Sequence, residues 1–307
     1  MSRPTAADRL FESERPRLRG LAYRMLGSVS DAEDAVQDAW LRWNRIETGE
    51  LAEPRAWLVR VVTRICIDRL RSARARREEY VGPWLPEPIV ESEQLLDPAP
   101  SAALERADDL TVAFLLALER LSPLERAVFV LHDVFSTDYA ELAAMLGKSE
   151  AACRQLAARA RGHIEAAKPR YKVAEAQAKR LAAAFIAAVQ SDDAERLGAM
   201  LAEDAVLVSD GGGKVPAALR PLLGRDRIVK FLLGVTRKFG RTGPADVRLA
   251  RINGQPGLVL NAGNGLTTFS LEPDEQGRIG AVYVVRNPDK LRHVAAGPGA
   301  EGVAAGA

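Results

Sequence analysis

Between about Leu10 and Arg77, apolar residues recur at three- and four-residue spacing in LRGLAYRML, DAEDAVQDAWLRW and PRAWLVRVVTRICIDRLRSARARR, which predicts one helical domain. Ser30 followed by Glu33 reads as a capping box opening the second of these helices, and Pro54 suits the first turn of the third. From Glu78 to Pro100 the pattern breaks into EEYVGPWLPEPIVESEQLLDPAP, rich in proline and acid, which cannot make a long helix and reads as a linker. A second helical block follows from about Ala107 to Lys168. Beyond it the period changes. KVAEAQAKRLAAAFIAAVQ and GRDRIVKFLLGVTRKFG remain helical, whereas DAVLVSD, DVRLARI, GLVLNAG, LTTFSLE and RIGAVYVVR read as short strands. Turn signals at Asn253-Gly254, Asn264-Gly265 and Gln276-Gly277 predict consecutive antiparallel hairpins. Helices first and strands afterwards mean an α+β domain and not alternating βαβ units. The alanine- and glycine-rich end, from Val294, is expected to be disordered, and there is no internal repeat.

Composition narrows the setting. A chain of 307 residues, 47% apolar and 27% charged, is long enough for two or three small domains. It has no run of eighteen apolar residues, and MSRPTAADRLFESERPRLRG lacks the apolar core of a signal peptide, so the expected location is the cytoplasm. Cys66 and Cys153 each sit in a helical apolar pattern and read as small buried residues, without support for a disulfide or a zinc site. Net charge is only +2, so a nucleic-acid partner has to be argued from where the charge lies.

It lies unevenly. In YAELAAMLGKSEAACRQLAARARGHI, Leu142 and Leu146 give one helix an apolar face, Gly147 permits a tight turn, and Ser149 can cap a second helix whose apolar side carries Cys153, Leu156 and Ala160. That is helix-turn-helix grammar. Lys148 and Ser149 stand at the turn, and the second helix offers Arg154, Gln155, Arg159 and Arg161, the donors needed for phosphate oxygens and purine edges in a major groove. In the first domain, Arg64, Arg69, Arg71, Arg74, Arg76 and Arg77 cluster on the helix that begins near Trp57, a combination suited to holding a nucleic-acid backbone and stacking a base. The helix before it is opposite in sign. Asp31, Glu33, Asp34 and Asp38 make it either plain solvent surface or a dock for a basic protein.

Together these strings resemble a bacterial RNA polymerase sigma factor of the extracytoplasmic-function group, over roughly the first 170 residues and in the right order. AYRMLGSVSDAEDAVQDAWLRW is similar to the sigma region that binds the polymerase clamp, which implies contacts from Asp31, Glu33, Asp34, Asp38 and Trp40. PRAWLVRVVTRICIDRLRSARARREE is similar to the region that opens and holds the minus-ten element, implying Trp57, Arg64, Arg69, Arg71 and Arg74. DYAELAAMLGKSEAACRQLAARAR is similar to the minus-thirty-five reader, implying Lys148, Ser149, Arg154, Gln155, Arg159 and Arg161. Ile65 and Cys66 stand where many relatives outside this subgroup place an asparagine. The implied partners are core RNA polymerase and promoter DNA, with no membrane.

WLPEP (Trp84 to Pro88), DGGGK (Asp210 to Lys214) and NPDKL (Asn287 to Leu291) resemble the markers of sigma factors with a fused SnoaL-like C-terminal domain, a curved sheet cupped by helices. In such proteins the extension is thought to regulate the sigma core. The resemblance implies interdomain regulatory roles for Trp84, Pro86 and Pro88 of the first marker. It implies the same for Asp210, Gly211, Gly212, Gly213 and Lys214, and for Asn287, Pro288, Asp289, Lys290 and Leu291. The expected organisation is a multi-domain chain: residues 1–77 for polymerase and minus-ten binding, a linker over 78–106, and a helix-turn-helix domain over 107–170. An α+β SnoaL-like domain with an antiparallel or mixed sheet follows over 171–293, then a tail over 294–307. DGGGK is not a Walker loop, because Lys214 is followed by Val215 and Pro216. SnoaL-like folds include enzymes with histidine and carboxylate chemistry, but only His293 falls in this region, at its edge, and nothing pairs Asp204 or Asp226 with a base. The reading carries no catalytic residue, no metal and no cofactor, and leaves open a small apolar ligand in the cup. Two alternatives compete with it: a stand-alone helix-turn-helix regulator sensing a ligand, and a SnoaL-like enzyme with incidental helices. The acidic helix argues against the first, since such a regulator needs no polymerase dock.

Overall fold

The computed structural model describes residues 5–46, 51–91, 110–164, 175–239, 246–263 and 265–295, with 73–78, 91, 175, 239 and 295 described by backbone alone. The chain forms two compact units. One joins Met1–Glu79 with Pro98–Lys168, and the other joins Tyr80–Asp97 with Pro169–Ala307.

In the first unit, α1 (Ala6–Leu26), α2 (Val29–Trp43) and α3 (Pro54–Glu78) form the first helical block. Phe11, Leu18, Trp43, Leu58, Val62 and Cys66 are buried between them, each large apolar side chain contributing about 1.5–3 kcal/mol of transfer free energy. The cap of α2 differs from the expected one. Ser28, not Ser30, precedes the helix, and its hydroxyl accepts the Asp31 amide at 3.0 Å. Ser30 already lies inside the first turn, so the residue placed to cap the free amides of that turn is Ser28. The second block consists of α4 (Val112–Leu118), α5 (Pro123–Phe129), a π-helical turn over Val130–Val134, α6 (Tyr139–Leu146) and α7 (Glu150–Ile164). Gly147 ends α6 in the left-handed conformation, φ 64°, and the Ser149 hydroxyl accepts the Ala152 amide at 3.2 Å to open α7. Leu142 and Met145, with Cys153, Leu156 and Ala160, fill the seam; Leu146 is only partly covered.

In the second unit, β1 (Val90–Glu91) belongs to the proline-rich segment. It is followed by α8 (Glu175–Gln190), α9 (Ala194–Met200), β2 (Leu201–Asp210), β3 (Leu222–Leu223), α10 (Arg225–Phe239), β4 (Asp246–Ile252), β5 (Gln255–Ala262), β6 (Gly265–Pro273), β7 (Ile279–Val285) and α11 (Arg292–Ala295). One mixed sheet has the order β1-β4-β5-β6-β7-β2-β3, with β2 parallel to β7 and every other pairing antiparallel. The β4–β5 turn is Asn253-Gly254, both residues left-handed, as an Asn-Gly hairpin requires. Asn264 lies outside the described residues. Phe185 and Ala188 of α8, Ile228 and Leu232 of α10, and Leu258, Leu271 and Val282 of the sheet share one core, so helices cover one face of the sheet. Within the segment read as a linker, Val90 pairs with Ile252 and Glu91 with Arg251, so this part is docked on the sheet. Of the expected tail, Val294 and Ala295 finish α11, and residues 296–307 lie outside the described residues.

Candidate functional site

The acidic face of α2 and the basic α3 meet at Arg69. Its guanidinium donates to the Asp38 carboxylate at 2.8 Å and to the Asp31 carbonyl oxygen at 3.0 Å, and it stands 3.9 Å from the Asp34 carboxylate. The two signs therefore interlock at this residue instead of forming separate faces. Glu33 points outward beside Arg19, Arg64 is exposed, and Arg71 pairs with Asp68 one turn back. Trp57 packs on Trp43 and Trp40 on Phe11, with ring centroids 5.8 and 4.7 Å apart. Both tryptophans are half-buried. The Arg74 side chain lies outside the described residues.

Lys148 in the turn and Gln155 and Arg154 on α7 face solvent, the last beside Glu150 and over the Tyr139 ring. Arg159 reaches Glu125 at 3.0 Å while staying largely exposed. Arg161 is part-exposed and donates to Asp133 at 2.7 Å, and that bond holds its guanidinium above the usual range. Periodicity places Arg161 on the outer face. The partner that holds it, 28 residues earlier, leaves no trace in the local pattern.

The three short markers of the second unit converge on one carboxylate. Asp210, at the end of β2, is fully buried. One of its oxygens accepts the Tyr80 hydroxyl at 2.6 Å and the Gly212 amide at 3.0 Å. The other accepts the Leu85 amide and the Lys290 ammonium, both at 2.8 Å. Lys290 also donates to the Leu85 carbonyl at 2.5 Å and lies over the Trp84 ring, 4.2 Å from its centroid, and the Tyr80 ring, 4.9 Å away. A buried ion pair offsets its desolvation only when the remaining donors and acceptors are satisfied, and the four donors on Asp210 meet that condition. Burial, then the hydrogen bond to Asp210, pushes the Tyr80 phenol above its usual range.

Around this centre, Asn287 donates to the Tyr80 oxygen at 2.8 Å, and the ring nitrogen of His293 donates to the Pro88 carbonyl at 2.7 Å. The Ile89 amide donates to the Asn253 side chain at 3.1 Å. Lys214 pairs with Asp289, whose carboxyl is held below its ordinary range by Lys214 and Arg292. Pro86, Pro88 and Leu291 are buried, whereas Pro288 is exposed. The glycines are sterically required. A Cβ on Gly212, at φ 60°, would stand 2.2 Å from the Asn287 amide nitrogen, and one on Gly211 would stand 2.3 Å from the Val215 carbonyl oxygen. Gly213 lies against Val81.

Comparison with known proteins gives the frame for this geometry. Residues 10–76 match the model of sigma-70 region 2, and residues 111–164 match that of sigma-70 region 4. The chain is 40% identical over 289 residues to the ECF RNA polymerase sigma factor SigJ of Mycobacterium tuberculosis, covering 92% of each protein. The chain belongs to the extracytoplasmic-function sigma factors. A second relative, the probable ECF sigma factor SigI of the same species, is 33% identical over 297 residues, covering 95% of this chain and 97% of the relative. The crystal structure of M. tuberculosis SigJ superposes with a TM-score of 0.74 at 35% identity, covering 92% of this chain and 97% of that one. As a sigma factor, the protein directs RNA polymerase to promoters and initiates transcription, and its family works without catalytic chemistry of its own. The two sigma regions are followed by the helix-covered mixed sheet that the resemblance implied. Among the described residues no helix is long and apolar enough to cross a membrane, and no cluster of metal-ligating side chains occurs.

Two features of the sigma factor escaped the sequence reading. Arg126 of α5, in region 4, is buried. It donates to the carbonyl oxygens of Leu118 at 2.9 Å and Met25 at 2.5 Å and pairs with Glu119, so it ties region 4 to the end of α1 in region 2. Burial pulls its guanidinium down to about 9. Arg17 and Arg24 of α1 lie over the Phe135 ring nearby, 5.9 and 5.6 Å from its centroid. An arginine amid LSPLERAVFVL carries no local signal of this partner. The second is Glu272 on β6, which burial pushes up to about 7 against the hydrogen bond from Tyr283 on β7. Asp204 and Asp226 are exposed.

Proposed function

We propose that this sigma factor is restrained by its own C-terminal domain, which takes up the segment joining regions 2 and 4. The observation that carries the reading is the Asp210 carboxylate, which holds Tyr80, Leu85 and Lys290 at once. The sign follows from reach. The minus-ten and minus-thirty-five elements are about 25 base pairs apart, roughly 85 Å at ~3.4 Å per base pair. A compact body of about 150 residues has a radius of gyration near 15 Å, so regions joined through Arg126 must part to read both elements. Docking Tyr80–Glu91 on the C-terminal domain fixes the course of a segment roughly 40 Å long when extended, at ~3.4 Å per residue, which opposes that separation.

In the working complex, Asp31, Glu33, Asp34, Asp38 and Trp40 meet the polymerase clamp. Aromatic burial contributes more there than screened rim charges. Trp57, Arg64, Arg69, Arg71 and Arg74 meet the minus-ten strand. Lys148, Ser149, Arg154, Gln155, Arg159 and Arg161 meet the minus-thirty-five duplex, with Arg69 and Arg161 first leaving their carboxylate partners. Phosphate contacts make promoter binding fall steeply with salt. The C-terminal domain is no catalyst on this reading. It is a regulator whose cup is open to a small ligand, and the protein works in the cytoplasm, where polymerase and DNA are.

The test compares transcription by the full chain with versions ending just before Asn287 and after about Arg170. Loss of the Asn287 and Lys290 contacts should raise transcription. If both shortened chains transcribe like the intact one, the regulatory reading fails.

A further inference from the structure

A cavity of about 450 Å³ opens between α10 and the sheet of the C-terminal domain, within the roughly 300–1,000 Å³ typical of pockets for drug-sized ligands. Its walls are apolar. Phe231 and Val235 of α10 face Leu260, Phe269 and Val284 of the sheet. Ser209 and Thr267, both nearly inaccessible, place a hydroxyl-bearing side chain on two of the strands.

The charged residues of the lining share one sign. Lys230, Lys238 and Arg286 contribute to it, and none of the described lining residues is acidic. Arg286 is half-buried and its guanidinium donates to the Pro216 carbonyl oxygen. Burial alone lowers it from its ordinary range, with no carboxylate in the cup to offset the cost. A half-buried guanidinium in an apolar wall gains most from a planar, bidentate anion.

Gly234 sits between the two lysines in mid-helix, where glycine costs about 1 kcal/mol relative to alanine. No atom lies within 4 Å of where its Cβ would stand, so packing does not demand glycine there. Its absent side chain leaves open the part of the wall that α10 lends to the cavity.

We propose that this cup binds a small apolar carboxylate, an aromatic or medium-chain acid whose body packs against Phe231 and Phe269 and whose carboxylate faces Arg286 and the two lysines. The proposal rests on the reading of the C-terminal domain as a ligand-taking cup, and it adds the chemical class of the ligand. None of these residues lies in the two matched sigma regions.

The test is calorimetric titration of the full chain with naphthalene-2-carboxylate, naphthalene-2-methanol and naphthalene-2-methylammonium, which share one apolar body and differ in head group. The carboxylate should bind saturably at one site, about tenfold or more tighter than the alcohol, with the ammonium weakest. Lys230→Glu with Lys238→Glu, both on exposed positions, should weaken the carboxylate by about tenfold while leaving the alcohol within about twofold. Gly234→Leu, which improves helix propensity, should weaken both by closing the wall. Equal binding of carboxylate and alcohol, indifference to these variants, or no saturable binding overturns the proposal. Binding is measured without polymerase, which separates it from the regulatory reading. Selective binding with unchanged transcription counts against the regulation, and lost selectivity counts against the cup whatever transcription does.

Discussion

The ammonium of Lys290 lies 2.8 Å from the carboxylate of Asp210, and both are buried. Breaking such a pair from one side costs more than the pair contributes, because the survivor remains uncompensated. Asp210→Ala is expected to destabilise the second unit by about 3–5 kcal/mol, stranding Lys290, the Tyr80 hydroxyl and the Leu85 amide. Thermal unfolding measures the loss, and hydrogen exchange at the Leu85 amide localises it. An amide still protected in the variant would mean that this carboxylate is not what holds the segment.

Gly212→Ala separates geometry from charge. The left-handed backbone and the Asn287 side chain both oppose a methyl group at this position, so a loss of about 2 kcal/mol or more is expected. Gly265→Ala, where φ is 100° but the surrounding space is open, meets only the backbone penalty and should lose less. Equal losses in denaturant titrations would remove the steric argument for the DGGGK loop.

Arg126→Met should lower stability by about 3 kcal/mol by leaving Glu119 without its buried partner. It should also raise transcription per folded molecule, since regions 2 and 4 then part more readily. Unchanged transcription at matched folded concentration would show that the Arg126 contact to Met25 does not limit opening.

Reversing the acidic face of α2 tests the polymerase dock, but Asp31, Asp34 and Asp38 also hold Arg69. Glu33→Lys is the cleaner variant, because Glu33 is exposed and pairs with the exposed Arg19 at 3.7 Å, a pair worth at most about 1 kcal/mol. It should weaken association with core polymerase, read by co-purification, while Arg69→Gln reports the internal contribution. Polymerase binding untouched by Glu33→Lys combined with Asp34→Lys would remove α2 from the interface.

Glu272 predicts a pH dependence. Its folded carboxyl is raised from 4.5 to about 7, so between those values the native state holds more protons than the unfolded chain. Stability should therefore fall as pH rises through that window, by at most about 1.4 kcal/mol per pH unit. Glu272→Gln should flatten the slope in denaturation curves, and an unaltered slope would assign it to other groups.

Much of this was legible in the chain because it is local. Helical spacing, the Gly147 turn, the Ser149 cap and the Asn253-Gly254 hairpin all depend on residues a few positions apart. A role for WLPEP, DGGGK and NPDKL was implied only by resemblance, and their convergence on Asp210 and their individual contacts were out of reach. The cap slipped from Ser30 to Ser28 because two serines two residues apart offer the same chemistry. Arg69 and Arg161 were read as positions on a helix face, and Arg126 was not singled out at all, yet each is governed by a partner one or more helices away. The parallel pairing of β2 with β7 likewise has no local signal, since a strand's sequence does not name its neighbour.

Lys290 meets the Leu85 carbonyl across 205 residues of chain. At about 5–20 residues per second, a ribosome releases the lysine roughly 10–40 s after the leucine. Both sigma regions thus emerge before the side chain that would hold their connection can arrive. Under the proposed restraint, a nascent copy that has not yet received Lys290 is free to engage polymerase, so the age of each molecule sets its output.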